Sequence, residues 1–407
     1  MLLLLVVLVA SLGAGDLRRL DTRYYRLHSD LPPGLTQTLG RELDAMYDEY
    51  ARRFAGFGDA GSGADERLDV HLFADRDDYV GFVGNVNRHS GGVYIPGRRV
   101  LASYLGDRGR DELRAVLRHE AFHQFADVAV GEQVPPWLNE GLAQLFEDGH
   151  WQVGPGGSGA RFVMGGVTPH RLRRWQADRR RGTLPTLAGL VAMDHDAWHA
   201  NMPDAHAAGS QYNAAWAAAH FFVYATDGEG SPLLRDRLVY MLRLLHAGYD
   251  PAEAFRRSVG DPADPTGTMD RALNLYVGTL RPGEVALARE AQEVRADMLE
   301  HLHDQGWRPA TMAEFRQHVV RAGYRIEYDS DSVRWLTAED PSVYFADPLG
   351  RELPASMLHF ANGDGRVGAA GRPLPDMVCR TSSGVTIRTR FIAAGGELDT
   401  ETTVTPR

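Results

Sequence analysis

Two histidines four residues apart, with a glutamate beside the first, stand in the stretch LRHEAFHQF as His119-Glu120-x-x-His123. The stretch reads as an amphipathic helix, and helical residues at i and i+4 project from one face. Two imidazoles placed there can close on a single ion. Zn2+ accepts neutral imidazole nitrogens readily, and a catalytic site needs a third protein ligand plus a position left to water. Glu120 is badly placed to bind the same ion. It is well placed to take a proton from that water and hand it to a leaving amine. With 16 histidines in the chain, the pattern arises by chance in on the order of a few percent of comparable sequences, so a third ligand must be sought.

Downstream, PPWLNEGLAQLFE supplies one. Pro135-Pro136 stop the chain and restart it as a helix, with Glu140 near the first turn, Asn139 before it, and the small residues Gly141 and Ala143 after it. Small residues let this helix approach the first closely, as a short carboxylate requires if it is to share an ion. The alternative for Glu140 is a carboxylate that only stabilises a helix N-terminus. A metzincin pattern is excluded, because the Gly and His it requires three and six residues past His123 are replaced by Ala126 and Ala129. One zinc ion bound by His119, His123 and Glu140 is the expectation.

HEAFHQF followed by WLNEGLAQLFE resembles the gluzincin clan of zinc metallopeptidases, in particular bacterial gluzincin-like domains with a Trp-x-Asn-Glu-Gly-x-Ala signature. The resemblance is specific over residues 117–147, extends over about 24–282 and leaves out the last hundred or so residues. It implies a zincin-like fold acting on a peptide or protein substrate, with His119, His123 and Glu140 as ligands and Glu120 as general base and acid. Sixteen residues separate His123 from Glu140, fewer than in the best-known members, so their substrate specificity does not carry over.

Many gluzincins carry a tyrosine beyond the third ligand that donates to the oxyanion. The matching residue here is Tyr212 in GSQYNAAWAAAHFFVYA, a helix that Ser210 would cap. A phenol aimed at developing charge stabilises the transition state more than the ground state; the alternative is a core tyrosine beside Trp216 and Val223. In the fold the chain resembles, an edge strand pairs with extended peptide. Gly91, Gly92, Val93 and Tyr94 are the substrate-binding candidates, the two glycines leaving backbone groups accessible, and a plain hairpin is the alternative. Asp127, one turn past His123, and Asn139 are candidates to orient the ligands from behind, although Asp127 also fits a solvated helix end. His220 reads as a packed helix residue, and His195, His199 and His206 match no closed zinc site.

The elements that must position these residues follow from periodicity. RYYRLHSDLPPGL predicts a strand leading into a helix over Leu35–Phe54, with Leu39, Leu43, Met46, Tyr47 and Tyr50 on one face. Leu68, Val70 and Leu72 alternate with Asp69 and His71 as in a half-buried strand, and Pro96-Gly97 turns a strand pair in SGGVYIPGRRVLASYL. Helices follow from Asp111 to about Asp127 and from Pro136 to about Glu147, and the text stays mainly helical to about residue 282. TMAEFRQHVVRAG is a further helix with a capping-box start at Thr311 and Glu314. Beyond it the period becomes two, at Tyr324, Ile326 and Tyr328 and again at Val385, Ile387, Thr389 and Phe391.

The expected class is therefore α+β. A zincin-like domain over 16–299, with a mixed-sheet lobe (16–127) and a helical lobe (128–299), precedes a small α+β domain over 300–407. Its 407 residues allow two such cores, and 43% apolar with 24% charged residues is a globular composition. A net charge of -10 excludes the phosphate-neutralising surface of a nucleic-acid binder. One segment runs against this balance: HRLRRWQADRRRG holds six arginines, read as a solvated helix face rather than a phosphate site. The single cysteine, Cys379, permits no internal disulfide. MLLLLVVLVASLGAG, residues 1–15, reads as a signal peptide for export and is too short to span a bilayer. The function expected is peptide-bond hydrolysis by zinc-activated water. The rival is a zinc-containing envelope binding module without activity.

Overall fold

The computed structural model describes residues 17–54, 67–84, 88, 90–106, 108–131, 134–154, 159–261, 267–307, 309, 311–322, 325–328, 334–337, 358–361, 376–394 and 397–406. The apolar segment 1–15 lies outside them. The described chain is α+β and forms two compact units. One runs to Arg108 and includes Val116–Val128; the other comprises Gly109–Ala115 and everything from Ala129 onward.

The first unit contains β1 (Arg18–Asp21), β2 (Tyr25–Ser29), α1 (Pro33–Arg53), β3 (Leu68–Phe73), α2 (Arg76–Val83), β4 (Gly92–Ile95), β5 (Val100–Tyr104) and most of α3 (Arg110–Ala129). Its sheet runs β1-β2-β3-β5-β4 and is mixed. β2, β3 and β5 are parallel, and the outer strands β1 and β4 are antiparallel to their neighbours. Alternation is visible in β3, where Leu68, Val70 and Leu72 are buried and Asp69 and His71 only half-buried. Phe73 is buried as well, because Tyr79 and Phe82 of α2 cover it. On α1 the predicted stripe of Leu39, Leu43, Met46, Tyr47 and Tyr50 is buried. It meets α3 through Tyr47 against Phe125 (5.4 Å between ring centres) and Tyr50 against Phe122 (5.7 Å).

The second unit continues with α4 (Pro136–Glu147), β6 (His150–Val153), β7 (Ala160–Val163), α5 (Pro169–Arg181), α6 (Leu187–Val191), α7 (His195–Ala200) and α8 (Ala205–Tyr224). α9 (Arg235–His246), α10 (Pro251–Ser258), α11 (Thr268–Thr279), α12 (Glu284–Asp304) and α13 (Met312–Ala322) follow. The strands β8 (Arg325–Tyr328), β9 (Arg334–Thr337), β10 (Leu358–Ala361), β11 (Asp376–Arg380), β12 (Thr386–Ala394) and β13 (Glu397–Thr405) come last. α8 starts earlier than Ser210. Asp204 caps it, its carboxylate accepting from the N–H groups of His206 and Ala207 (2.9 and 3.2 Å), while the Ser210 hydroxyl donates to Thr183 (2.9 Å).

The predicted division near residue 300 falls within α12, and the second unit is continuous across it. Strand β13 pairs in parallel with β6 at Val404 and Gln152, giving one mixed six-stranded sheet in the order β10-β11-β12-β13-β6-β7. α12 packs on this sheet: Gln292 donates to the carbonyl of Met377 (3.1 Å), and Ala288 joins Cys379, Ile387 and Val404 in a small core. Of the predicted strand residues, Ile387, Thr389 and Phe391 are buried in β12, while Tyr324 lies outside the described residues. No described helix is long and apolar enough to cross a membrane.

Candidate metal centre

α3 is held to the sheet of the first unit along one face. Leu117, Ala121 and Phe125 are buried at helical spacing. Buried Gln124 donates its amide to the carbonyls of Asp69 and Arg99 (both 3.1 Å), and the Tyr50 hydroxyl donates to the carbonyl of Arg118 (2.7 Å). This anchoring fixes the rotation of the helix, so His119 and His123 share a different face. Their rings lie 4.7 Å apart, nearly perpendicular. Glu140, in the first turns of α4, completes the group: one ligand atom from each of His119, His123 and Glu140 lies within 4.8 Å of the others, and none of the three side chains is exposed. Two imidazoles and one carboxylate are a donor set that Zn2+ accepts in open, catalytic sites. The residues therefore fit the ion expected from the sequence.

Glu120 faces the edge strand. Its Oε2 accepts from the backbone N–H of Tyr94 (2.8 Å). β4 is the last strand of its sheet, so that N–H is directed at α3 instead of at another strand. Gly92 permits this closeness, since a Cβ there would stand 2.6 Å from Val116 and 3.3 Å from Glu120 Cγ. The glycine is thus demanded by helix-to-strand approach. The carbonyl of Gly91, expected to be accessible, already accepts from Ser103 Oγ (2.9 Å) and Arg108 Nη2 (2.8 Å). Val93 faces away from α3, packed against the buried cluster of Phe73, Tyr79, Ala102 and Tyr104.

Asp127 has a partner that the sequence did not suggest: its Oδ2 accepts a hydrogen bond from the Tyr94 hydroxyl. Tyr94 therefore grips α3 twice, through its backbone at Glu120 and its phenol at Asp127. Sequence reasoning placed Tyr94 only as an edge-strand residue. Partners 26 and 33 residues away leave no local signal. Asn139 lies in the first turn of α4, its N–H donating to the carbonyl of Pro135 (3.0 Å).

The position of α4 is set by α8. At Gly141 a Cβ would lie 2.7 Å from the Cβ of Ala219 and closer still to the carbonyl oxygen of Ala215. Gln144 adds a polar tie by donating to the Tyr212 carbonyl (3.1 Å). Its own carbonyl accepts from Arg171 (2.6 Å), a buried guanidinium that also pairs with Glu147 (3.1 Å) and Asp148 (3.0 Å). The first arginine of the basic segment is thus an internal ion-pair residue, against the expected solvated face, and its carboxylate partners raise its pKa despite the burial. Tyr212 sits in the interior of α8 with its ring edge-on to Trp198 (5.3 Å).

Of the other histidines singled out from the sequence, His220 and His199 bond within the fold. His220 uses both ring nitrogens, with the Tyr276 hydroxyl at 2.7 Å and the Gly165 carbonyl at 3.2 Å, and burial pushes its pKa down to about 4. His199 Nδ1 lies 2.6 Å from the carbonyl of His195 within α7. His206 stands in the first turn of α8.

Over residues 114–231 the chain matches a family described as a protein of unknown function, DUF1570. That stretch includes His119, Glu120, His123, Glu140 and Tyr212. A comparison with curated proteins gave no match.

Proposed function

We propose that the chain is a zinc-dependent peptide hydrolase of gluzincin type with a zincin-like arrangement around α3, and that it acts outside the cytoplasm. The observation that carries this reading is the convergence of His119, His123 and Glu140 within 4.8 Å, at residues whose types and spacing the chemistry had already singled out. When bound there, Zn2+ supplies Lewis-acid polarisation of a carbonyl and a water made acidic enough to react near neutral pH. Glu120 takes the proton of the attacking water as the new C–O bond forms. It then delivers that proton to the amine as the C–N bond breaks. The N–H of Tyr94 holds one oxygen of the Glu120 carboxylate (2.8 Å) and so orients the other. β4 is the edge strand assigned to an extended peptide, which would pair through groups other than the Tyr94 N–H that Glu120 already holds. Tyr212 is assigned the developing oxyanion, a role supported by the direct packing of α8 on the helix that bears Glu140. The apolar run at residues 1–15 supports export.

Metal analysis and peptide-library cleavage on three proteins test the reading. Wild type should hold one zinc and cleave. Glu120→Gln should keep the zinc and lose about 10²- to 10⁴-fold in rate, the usual worth of a general base. Glu140→Ala should lose stoichiometric zinc. A zinc-loaded Glu120→Gln protein that cleaves as fast as wild type overturns the catalytic assignment, and a wild type without zinc overturns the site.

A further inference from the structure

Three of the six arginines of α5 are answered by carboxylates. Arg171 is paired internally, Arg173 meets Glu290 (2.7 Å) and Arg181 meets Asp178 (2.8 Å). Arg179 differs. It has no carboxylate partner among the described residues, and its guanidinium is exposed, 5.4 Å from the ring centre of Trp175. It also lines a cavity of about 260 Å³ walled by α5, α6, α8 and α11.

The space exists because α8 presents Ala214 and Ala217 on that side, while its Ala215 and Ala219 receive α4. The apolar walls are Trp175, Leu187, Leu190 and Leu273, all buried. One acid, Asp270, shares the lining. Its Oδ1 is fixed by the N–H of Leu187 (2.6 Å), and its Oδ2 has no hydrogen-bond partner among the described residues. An apolar hollow thus carries one uncommitted cation and one half-committed carboxylate.

We infer that this cavity binds a free apolar α-amino acid, with its carboxylate on Arg179, its ammonium on Asp270 and its side chain against Trp175, Leu187, Leu190 and Leu273. Size points to this class: the volume falls below the range of about 300–1,000 Å³ common for drug-sized ligands, so a single amino acid is a suitable occupant. Charge points the same way. A lone carboxylate would face the Asp270 charge and a lone ammonium the Arg179 charge, whereas a zwitterion satisfies both. The guanidinium fork suits a carboxylate specifically. The site uses none of the residues assigned to hydrolysis, so it stands whether or not the protein cleaves peptides.

Calorimetric titration of the full chain with L-phenylalanine, 3-phenylpropionate and phenethylamine tests the inference, with thermal unfolding as a check that each variant folds. L-Phenylalanine should bind best. Arg179→Gln should weaken it by about tenfold or more, the ordinary cost of losing a charge-assisted hydrogen bond. Asp270→Asn keeps an acceptor for Leu187 but removes the charge, and should abolish the preference for L-phenylalanine over 3-phenylpropionate. No saturable binding of L-phenylalanine or L-leucine at millimolar concentration overturns the proposal. Binding of equal strength in wild type and both variants overturns it too, by placing the ligand elsewhere.

Discussion

Replacing Gly141 by alanine sets two effects of opposite sign against each other. In a helix interior, alanine is favoured over glycine by about 1 kcal/mol, so propensity alone predicts a more stable protein. The added methyl, however, would stand 2.7 Å from the Cβ of Ala219 and nearer still to the carbonyl oxygen of Ala215. Overpacking a well-filled core costs about 1–3 kcal/mol. The upper part of that range applies here, because one obstacle is a backbone carbonyl inside α8 that cannot rotate out of the way. The net expectation is a loss of about 2 kcal/mol. Urea denaturation reads it as a lower midpoint at unchanged slope. Gly209→Ala, in the facing helix α8, is the control, since nothing lies within 4 Å of its added Cβ; it should gain up to about 1 kcal/mol. Ala219→Gly removes one of the two obstacles at a helix-propensity cost of about 1 kcal/mol, so a double-mutant cycle with Gly141→Ala should show favourable coupling between the two changes. A Gly141→Ala protein as stable as wild type, or more so, refutes the close contact of α4 with α8.

Two further outcomes follow from hydrogen bonds. His220 is buried and its pKa is pushed down to about 4 from an ordinary 6.5, so between those values the unfolded chain binds more protons than the folded one. Stability is therefore full above about pH 6.5 and falls by up to about 3 kcal/mol as pH drops towards 4. His220→Gln should flatten that dependence in chemical denaturation, and parallel profiles for the two proteins exclude the assignment. Tyr94→Phe removes the bond to Asp127 and leaves the backbone N–H on Glu120. Thermal unfolding should show a loss of about 1 kcal/mol with unchanged zinc content, and no loss means that the phenol does not hold Asp127 in solution.

Local patterns were the readable part of this molecule. The buried stripe of α1, the alternation in β3, the turn at Pro96-Gly97 and the helices bearing His119, His123 and Glu140 follow from periods and breakers within a dozen residues. What escaped was long-range or depended on competition between equivalent signals. Ser210 and Asp204 are both competent caps, and the carboxylate six residues earlier wins because the alanines after it propagate the helix through Gly209. Gly92 looks like an accessible edge glycine until Val116 and Glu120 are seen against it. The parallel pairing of Val404 with Gln152 has no counterpart in either segment's own text, and it joins strands that periodicity had assigned to a separate domain.

The last strand also changes when α3 can be finished. Asp111 accepts from the N–H of Thr402 (2.8 Å), and Arg114 pairs with Glu401 (3.0 Å), so the first turns of the histidine-bearing helix are tied to residues nearly three hundred positions later. At bacterial or eukaryotic synthesis rates of about 5–20 residues per second, that gap is roughly 15–60 s on the ribosome. Throughout that interval the nascent chain carries His119 and His123 without their downstream anchor. A ribosome stalled before β13 would hold α3 without these two ties, so the helix bearing His119 and His123 gains them only once a strand nearly three hundred residues later has been made.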